Sequence, residues 1–274
     1  MSLFVADFFS GLDGWGAAFR DRGHRVVSFD LDPRFKPNVV VDMNNVRAVN
    51  GFDVILASPP CECFSVMTIG KNWNKDRTPK TERAKDALAL AHHTFALIEN
   101  AKPRWYVVEN PRGMLRKVAP RPPDATVWYC RYGSASAKPT DLWTNLNGGM
   151  AFGWLACANG APDHDAAPRG ADAVTQRRRP DGRLDTRYVR DASTRGFGSA
   201  FARAESAAQI RARLGLSPSK GGTNHDMDRS AQRALIPYRL SLAVCLASER
   251  DGALPSMDEV IEVSLPPRTK KGAA

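Results

Sequence analysis

The chain has 274 residues, 43% of them hydrophobic, and a formal net charge of +10. That is enough apolar material for a real core, in one large domain or one domain with a smaller partner. The basic balance, with an isoelectric point near 9.6, favours a polyanionic partner, because cationic surface attracts phosphates and releases counterions. Five cysteines, Cys61, Cys63, Cys130, Cys157 and Cys245, are too few and too scattered for a disulfide framework. The start, Met1 to Asp7, lacks the basic flank and long apolar stretch of a signal peptide. No run approaches the roughly 18 apolar residues of a membrane span. The expectation is a soluble protein in a reducing compartment.

Strand-like and helix-like segments alternate over the first 145 residues. Leu3 to Ala6 reads as a strand ended by Asp7. A glycine turn follows, Ser10-Gly11-Leu12-Asp13-Gly14, then a helix through Arg22. Arg25 to Phe29 is a strand ended by Asp30, Val39 to Val41 one ended by Asp42, and Phe52 to Leu56 a fourth. Arg83 to Ile98 places Ala84, Leu88, Ala91, Phe95 and Ile98 on one helical face. Trp105 to Val108 is a strand ended by Glu109, and Thr126 to Tyr132 and Asp141 to Trp143 are two more. Such alternation implies βαβ units and a mostly parallel sheet.

The texture changes near Gly148. From there to about Met227 the chain is rich in Gly, Ala, Pro, Asp and Arg with little periodicity. Its segment Arg169 to Arg190 holds seven arginines against three aspartates. A helix over Ala204 to Leu214, a packed helix within Arg229 to Ser248 entered near Pro237, and a strand over Asp258 to Leu265 come next. The expected organisation is a catalytic and cofactor-binding domain over 1–147 and a small, irregular target-recognition region over 148–228. A C-terminal segment, 229–265, packs back on the first domain, and 266–274 is a basic tail.

The chemistry-bearing residues sit at strand ends. A strand ending in Asp7, then glycines, then a helix, is a nucleotide-cofactor arrangement, since glycines let the backbone approach a ligand closely. The G-x-G-x-x-G fingerprint of a pyrophosphate cradle is absent. Asp30, about 20 residues past the turn, suits ribose hydroxyls, and Asp42 an adenine amino group. Each is equally a helix cap or a solvated loop acid. Cys61 lies behind two prolines at the carboxyl end of a strand, in Ala57-Ser58-Pro59-Pro60-Cys61-Glu62-Cys63-Phe64-Ser65. A structural cysteine normally lies inside the apolar run instead. Glu109, in Val108-Glu109-Asn110-Pro111, is expected at the same edge, with Asn110 capping the next helix.

In their order these motifs resemble the cytosine-5 DNA methyltransferases, and among them the short phage-type enzymes. Asp7 to Gly16 resembles the cofactor motif, Pro60-Cys61 the nucleophile motif and Glu109-Asn110 the glutamate motif. Cys130-Arg131-Tyr132-Gly133 with Lys138-Pro139-Thr140-Asp141 is similar to the strand that closes over the base. The resemblance implies a Rossmann-like fold with a mostly parallel sheet, S-adenosyl-L-methionine as cofactor and double-stranded DNA as partner. It implies a monomer in the cytoplasm of a bacterial or phage-infected cell, with any cognate nuclease encoded elsewhere. It assigns catalysis to Cys61, Glu109 and Lys138. Cofactor contacts fall to Asp7, Phe8, Ser10, Gly11, Gly14, Asp30, Asp42 and Pro59, and substrate contacts to Pro60, Ser65, Asn110 and Arg131. No metal is expected. Cys61 would add to carbon 6 of a flipped cytosine while Glu109 holds ring nitrogen 3 and the amino group. The basic stretch Ser65 to Lys80 suits a lid that closes over DNA.

The chain departs from the family pattern at three places. Glu62 stands where the family has glutamine, Asn110-Pro111 replaces Asn-Val, and the paired arginines of the later strand are not evident, which leaves Lys138 as the base contact. Cys157 and His164 make only a weak pair of metal ligands, and His92 and His93 read as surface or packing residues. Three competing readings keep the scaffold: an RNA cytosine methyltransferase, a catalytically silent DNA-binding relative, and an exocyclic-amine methyltransferase with a Ser-Pro-Pro motif. The last needs no thiol and gives Glu109 no role.

Overall fold

The computed structural model describes residues 1–132, 138–146, 235–253, 255 and 260, with the backbone alone of 173–178 and 184–189. Short runs rich in β-branched and aromatic residues form a seven-stranded sheet. Its strands are β1 (Phe4–Phe8), β2 (Arg25–Asp30), β3 (Val39–Val40), β4 (Val54–Ala57), β5 (Trp105–Pro111), β6 (Ala125–Trp128) and β7 (Pro139–Thr144). Their order is β3-β2-β1-β4-β5-β7-β6. Pairing is parallel from β3 to β5, and β7 runs antiparallel to both of its neighbours.

A parallel sheet has to be covered on both faces, and alternation along the strands supplies two cores. Val5, Val54, Leu56 and Val107 face helices α1 (Gly16–Asp21) and α5 (Tyr238–Glu249). Ala6, Ile55, Ala57 and Val108 face α3 (Glu82–Ala101) and α4 (Leu115–Val118). A short helix, α2 (Ile69–Asn72), lies between β4 and α3. Thr81 caps α3 by accepting from the Ala84 amide, and the face predicted for this helix is the buried one, with Leu88 partly buried. Strand order reverses between β1 and β4, and sheets of this kind bind ligands in the crevice at such a point.

Several predicted boundaries shift, each for a packing reason. β5 continues through Glu109 to Pro111, because β7 pairs with it as far as Thr140. β6 stops at Trp128, where its partner ends at Pro139, and Tyr129–Tyr132 closes into a 3-10 turn. α5, by contrast, starts at Tyr238 with Pro237 at its cap position, where entry was expected. The region 148–228 is not wholly irregular: β8 (Ala173–Arg178) and β9 (Leu184–Val189) pair antiparallel. Between them the sequence reads Pro180-Asp181-Gly182, turn-forming chemistry that the arginine-rich composition hides. The rest of that region, the helix expected over 204–214 and the tail lie outside the described residues. So does the strand expected over 258–265, except Val260, which is helical rather than extended and is buried in the core.

Asp7 is buried beneath α1. Its carboxylate accepts from the Gly16 amide at 3.1 Å. Burial first, then the charge of Asp13, push its carboxyl well above the ordinary range, while Arg20 and the Gly16 amide act the other way. Its stabilising contribution is therefore full below the unfolded value, about 3.9, and is lost as pH rises through the folded value. Asp7→Asn should be more stable than the wild type at pH 8, with an advantage that fades toward pH 4. Urea unfolding midpoints at both pH values measure this, and a pH-independent difference would refute it.

Candidate active site

β1, β2, β4 and β5 deliver their carboxyl ends to one edge, where a cavity of about 360 Å³ opens. Its walls combine apolar Phe9, Leu31, Phe35 and Ile236 with the carboxylates of Asp30 and Asp42. The glycine turn forms one side. Gly11 takes φ +49°, and its amide donates to Asp30 Oδ2 at 2.8 Å while the Asp32 amide donates to Oδ1 at 2.9 Å. Asp30 thus locks the loops after β1 and β2 together. Phe9 and Asp13 hold φ of 60° without being glycine, a sparsely populated conformation that persists only where surroundings enforce it. Gly14 is needed for space, since a Cβ there would lie 2.9 Å from the Ile236 nitrogen. Asp42 caps the turn Met43–Asn45 through its bond from the Asn44 amide.

The segment after β4 is held from two directions. Trp15 Nε1 donates to Ser58 Oγ at 2.9 Å, and Asn110 Nδ2 to the Pro59 carbonyl at 2.9 Å. The Cys61 carbonyl accepts from the amides of Phe64 and Ser65, both at 3.0 Å, so the thiol rides on a tight turn. That turn is clamped to the turn after β5: the Met114 amide donates to the Phe64 carbonyl at 2.8 Å, and Ser65 bridges to Gly113. Cys61 is half-buried and lines the cavity.

Glu109, on the neighbouring strand, lines the same cavity and is otherwise buried. Its Oε1 accepts from the Tyr129 hydroxyl at 2.9 Å, with Lys138 Nζ 3.8 Å from the same oxygen. Lys138 also lines the cavity and sits 4.4 Å over the Tyr129 ring.

Of the residues singled out from sequence, Ser10, Gly11, Gly14, Asp30, Asp42, Pro59, Pro60, Cys61, Glu109 and Lys138 meet at this cavity. Five do not line it. Asp7 points under α1, and Phe8 is buried against Phe29 with ring centroids 5.3 Å apart. Ser65 serves the clamp between the two turns, Asn110 is fully buried beneath Pro59, and Arg131 lies in the 3-10 turn after β6. Sequence reasoning missed Phe9, Leu31 and Tyr129. Leu31 left a trace as an apolar residue, 65% exposed, between the strand-end Asp30 and the turn-capping Asp32. Tyr129 left none, because the sequence around it reads as the interior of a strand.

Glu62 also lines the cavity, is exposed, and has its charge matched by Arg83. His92 and His93 reach the backbone carbonyls of Val118 and Val46 at 2.8 and 2.9 Å. Lys71, Lys75, Arg77 and Lys80 are found on the segment after Cys61, which is anchored by Trp73 Nε1 donating to the Cys63 carbonyl at 2.7 Å. Cys157 and His164 lie outside the described residues. Among the described residues, His24, Cys245 and Glu249 bring metal-ligand chemistry together. His24 Nδ1 accepts from the Leu3 amide at 3.2 Å, which leaves the proton on Nε2, facing Glu249 at 2.8 Å. Arg22 holds both oxygens of Glu249 at 2.8 and 2.7 Å, and burial pushes the Cys245 thiol far up. The group is an ion-pair clamp between α5 and the chain around β2. No helix among the described residues is long and apolar enough to cross a membrane.

Residues 3–120 match the family model of the C-5 cytosine-specific DNA methylases. A protein of Frog virus 3 (isolate Goorha) named "Probable DNA (cytosine-5)-methyltransferase" is 30% identical over 152 residues, which cover 53% of this chain and 71% of the relative. Among solved structures, a DNA modification methyltransferase encoded within an E. coli prophage aligns with TM-score 0.37 and 18% identity, over 52% of this chain and 46% of that one. The Entamoeba histolytica methyltransferase EhMeth aligns with TM-score 0.31 and 19% identity, over 43% and 41%. The chain thus spans less than half the length of either solved structure.

The clamp between the two turns depends on Gly113, where a Cβ would lie 2.1 Å from the Phe64 carbonyl oxygen. Gly113→Ala should cost about 1–3 kcal/mol of stability, read as a lower urea midpoint. Gly70→Ala, in α2 with nothing within 4 Å of the added carbon, should leave the midpoint unchanged or slightly raised. Equal midpoints for the two variants would count against the clamp.

Proposed function

The chain belongs to the C-5 cytosine-specific DNA methylase family, and from that premise we propose that it methylates carbon 5 of a flipped cytosine in double-stranded DNA through a covalent Cys61 adduct. One observation carries the reading: a thiol and a carboxylate from neighbouring strand ends line a single cavity with Asp30 and Asp42. The cavity has the size of a small-molecule site, mostly apolar with a few polar groups to fix orientation. Such a lining fits S-adenosyl-L-methionine, with Asp30 for ribose hydroxyls, Asp42 for the adenine amino group, and Phe9 and Leu31 for the ring. Bound there, it supplies the methyl group.

Cytosine carbon 5 is a poor nucleophile until the ring gains electrons. Cys61, as thiolate, adds to carbon 6. Glu109 holds ring nitrogen 3 and the exocyclic amine and shares its proton with nitrogen 3, so negative charge does not build up on the ring. Carbon 5 then takes the methyl group and gives up its hydrogen as a proton to solvent water. Cys61 leaves as thiolate and the proton on nitrogen 3 returns to Glu109. Lys138 adds positive charge beside the carboxylate. Extruding the base from the duplex costs a few kcal/mol, which the lysines and Arg77 after Cys61 offset through phosphate contacts as a lid. Target recognition falls to residues 148–228.

Cys61→Ser should abolish methyl transfer while DNA affinity stays within about threefold of the wild type, because the phosphate contacts are untouched. DNA carrying 5-fluorocytosine, incubated with cofactor, should trap the wild type in a complex that survives denaturing electrophoresis. Methylation of ordinary DNA without such a complex would refute the covalent route. Glu109→Gln should slow turnover about 100-fold or more and change cofactor affinity little, as tested by single-turnover kinetics beside calorimetry. Bisulfite sequencing of DNA from an expressing host identifies the modified base and its context.

A further inference from the structure

We propose that Tyr129 is a positioning residue for Glu109: its phenol fixes Oε1 of the carboxylate and leaves Oε2 as the oxygen that meets the base. The proposal rests on the function given above for Glu109. Tyr129 is 2% exposed and does not line the cavity, so it acts only through its neighbours. Its hydroxyl donates to Glu109 Oε1 at 2.9 Å. The Thr140 hydroxyl, from β7, donates to the Lys138 carbonyl at 3.5 Å. Lys138 stacks its ammonium 4.4 Å over the Tyr129 ring and reaches 3.8 Å from the same Oε1. One hydrogen-bond donor and one cation from the β6–β7 side therefore converge on one oxygen of the carboxylate. A carboxylate held this way cannot rotate about its terminal bond without breaking a charge-assisted hydrogen bond.

Tyr129 is placed for this by the fold. It is the first residue after β6 loses its partner, and the 3-10 turn it opens directs it inward. Burial, then the charge of Glu109, push its phenol well above the ordinary tyrosine range, so it stays a neutral donor at working pH. Lys138 and Cys61 line the same cavity as Glu109. Removing the hydroxyl frees Oε1, and the carboxylate can then turn out of line with the base.

The test uses infrared difference spectroscopy of the full chain without substrate at one fixed pH, with the Glu109 carboxylate band identified by its loss in Glu109→Gln. Tyr129→Phe should move that band, because the bond to Oε1 is gone, lower kcat about 10- to 100-fold and leave KM for S-adenosyl-L-methionine within about twofold. A fluorotyrosine placed at position 129, which keeps the shape and strengthens the donor, should move the band the opposite way, and it stands in if Tyr129→Phe does not fold. An unmoved Glu109 band in both variants overturns the proposal, as does a kcat loss matched by an equal rise in KM. The band is read without turnover. A shifted band in a protein that methylates no cytosine therefore overturns the proposed function while upholding the Tyr129–Glu109 contact.

Discussion

One buried amide joins the two strand ends on which the site depends. Asn110 Nδ2 donates to the Pro59 carbonyl at 2.9 Å, and Asn110 is completely shielded from solvent. Glu109 precedes it on β5, and Cys61 follows Pro59 by two residues. The thiol and the carboxylate are therefore set by one bond rather than by two independent loops. The bridge from Ser65 to Gly113 and the bond from Met114 to Phe64 repeat the linkage a few residues on. Where reacting groups must meet, a displacement of about 1 Å is costly, and a hydrogen bond in a dry interior is stiff because nothing nearby replaces it.

A second chain of contacts ties the cavity to the far end of the sequence. Ser241 on α5 donates to the Trp15 carbonyl, and the Trp15 indole donates to Ser58. The C-terminal helix, the glycine turn and the β4 end thus move as one unit. Glu249 reinforces it by binding Arg22 and His24, while Leu235 and Ile236 complete the cavity wall. The tight fit of Gly14 against Ile236 is the cost of bringing that segment so close. About two hundred residues of sequence separate these partners, so the cavity exists only once α5 has packed.

The strand-end acids look alike in the sequence and do different work. Asp30 and Asp42 reach the cavity, Asp7 turns inward to α1, and Glu109 belongs to β5 rather than ending it. Alternation along a strand says which residues share a face, and that much is readable for β1, β4 and α3. It does not say which acid ends up beneath a helix. Tyr129 illustrates the same limit. Its neighbours Thr126 and Val127 read as strand and are strand, but only the length of β7 decides that the ladder ends before Tyr129. Tyr129 then turns toward Glu109, twenty residues away.

The order of motifs by itself determined the fold class and the family, and it singled out Cys61 and Glu109, which line one cavity. These depend on local signals: apolar runs that must be buried, glycines where the backbone bends tightly, and a cysteine set behind prolines at a strand end. Only the tertiary structure decided which oxygen of Glu109 is held, that Asp7 supports the core, and that residues near 236 wall the cavity. Those outcomes come from contacts between segments distant in the chain. Their geometry is fixed by how the two faces of the sheet are covered, and no stretch of sequence encodes that alone.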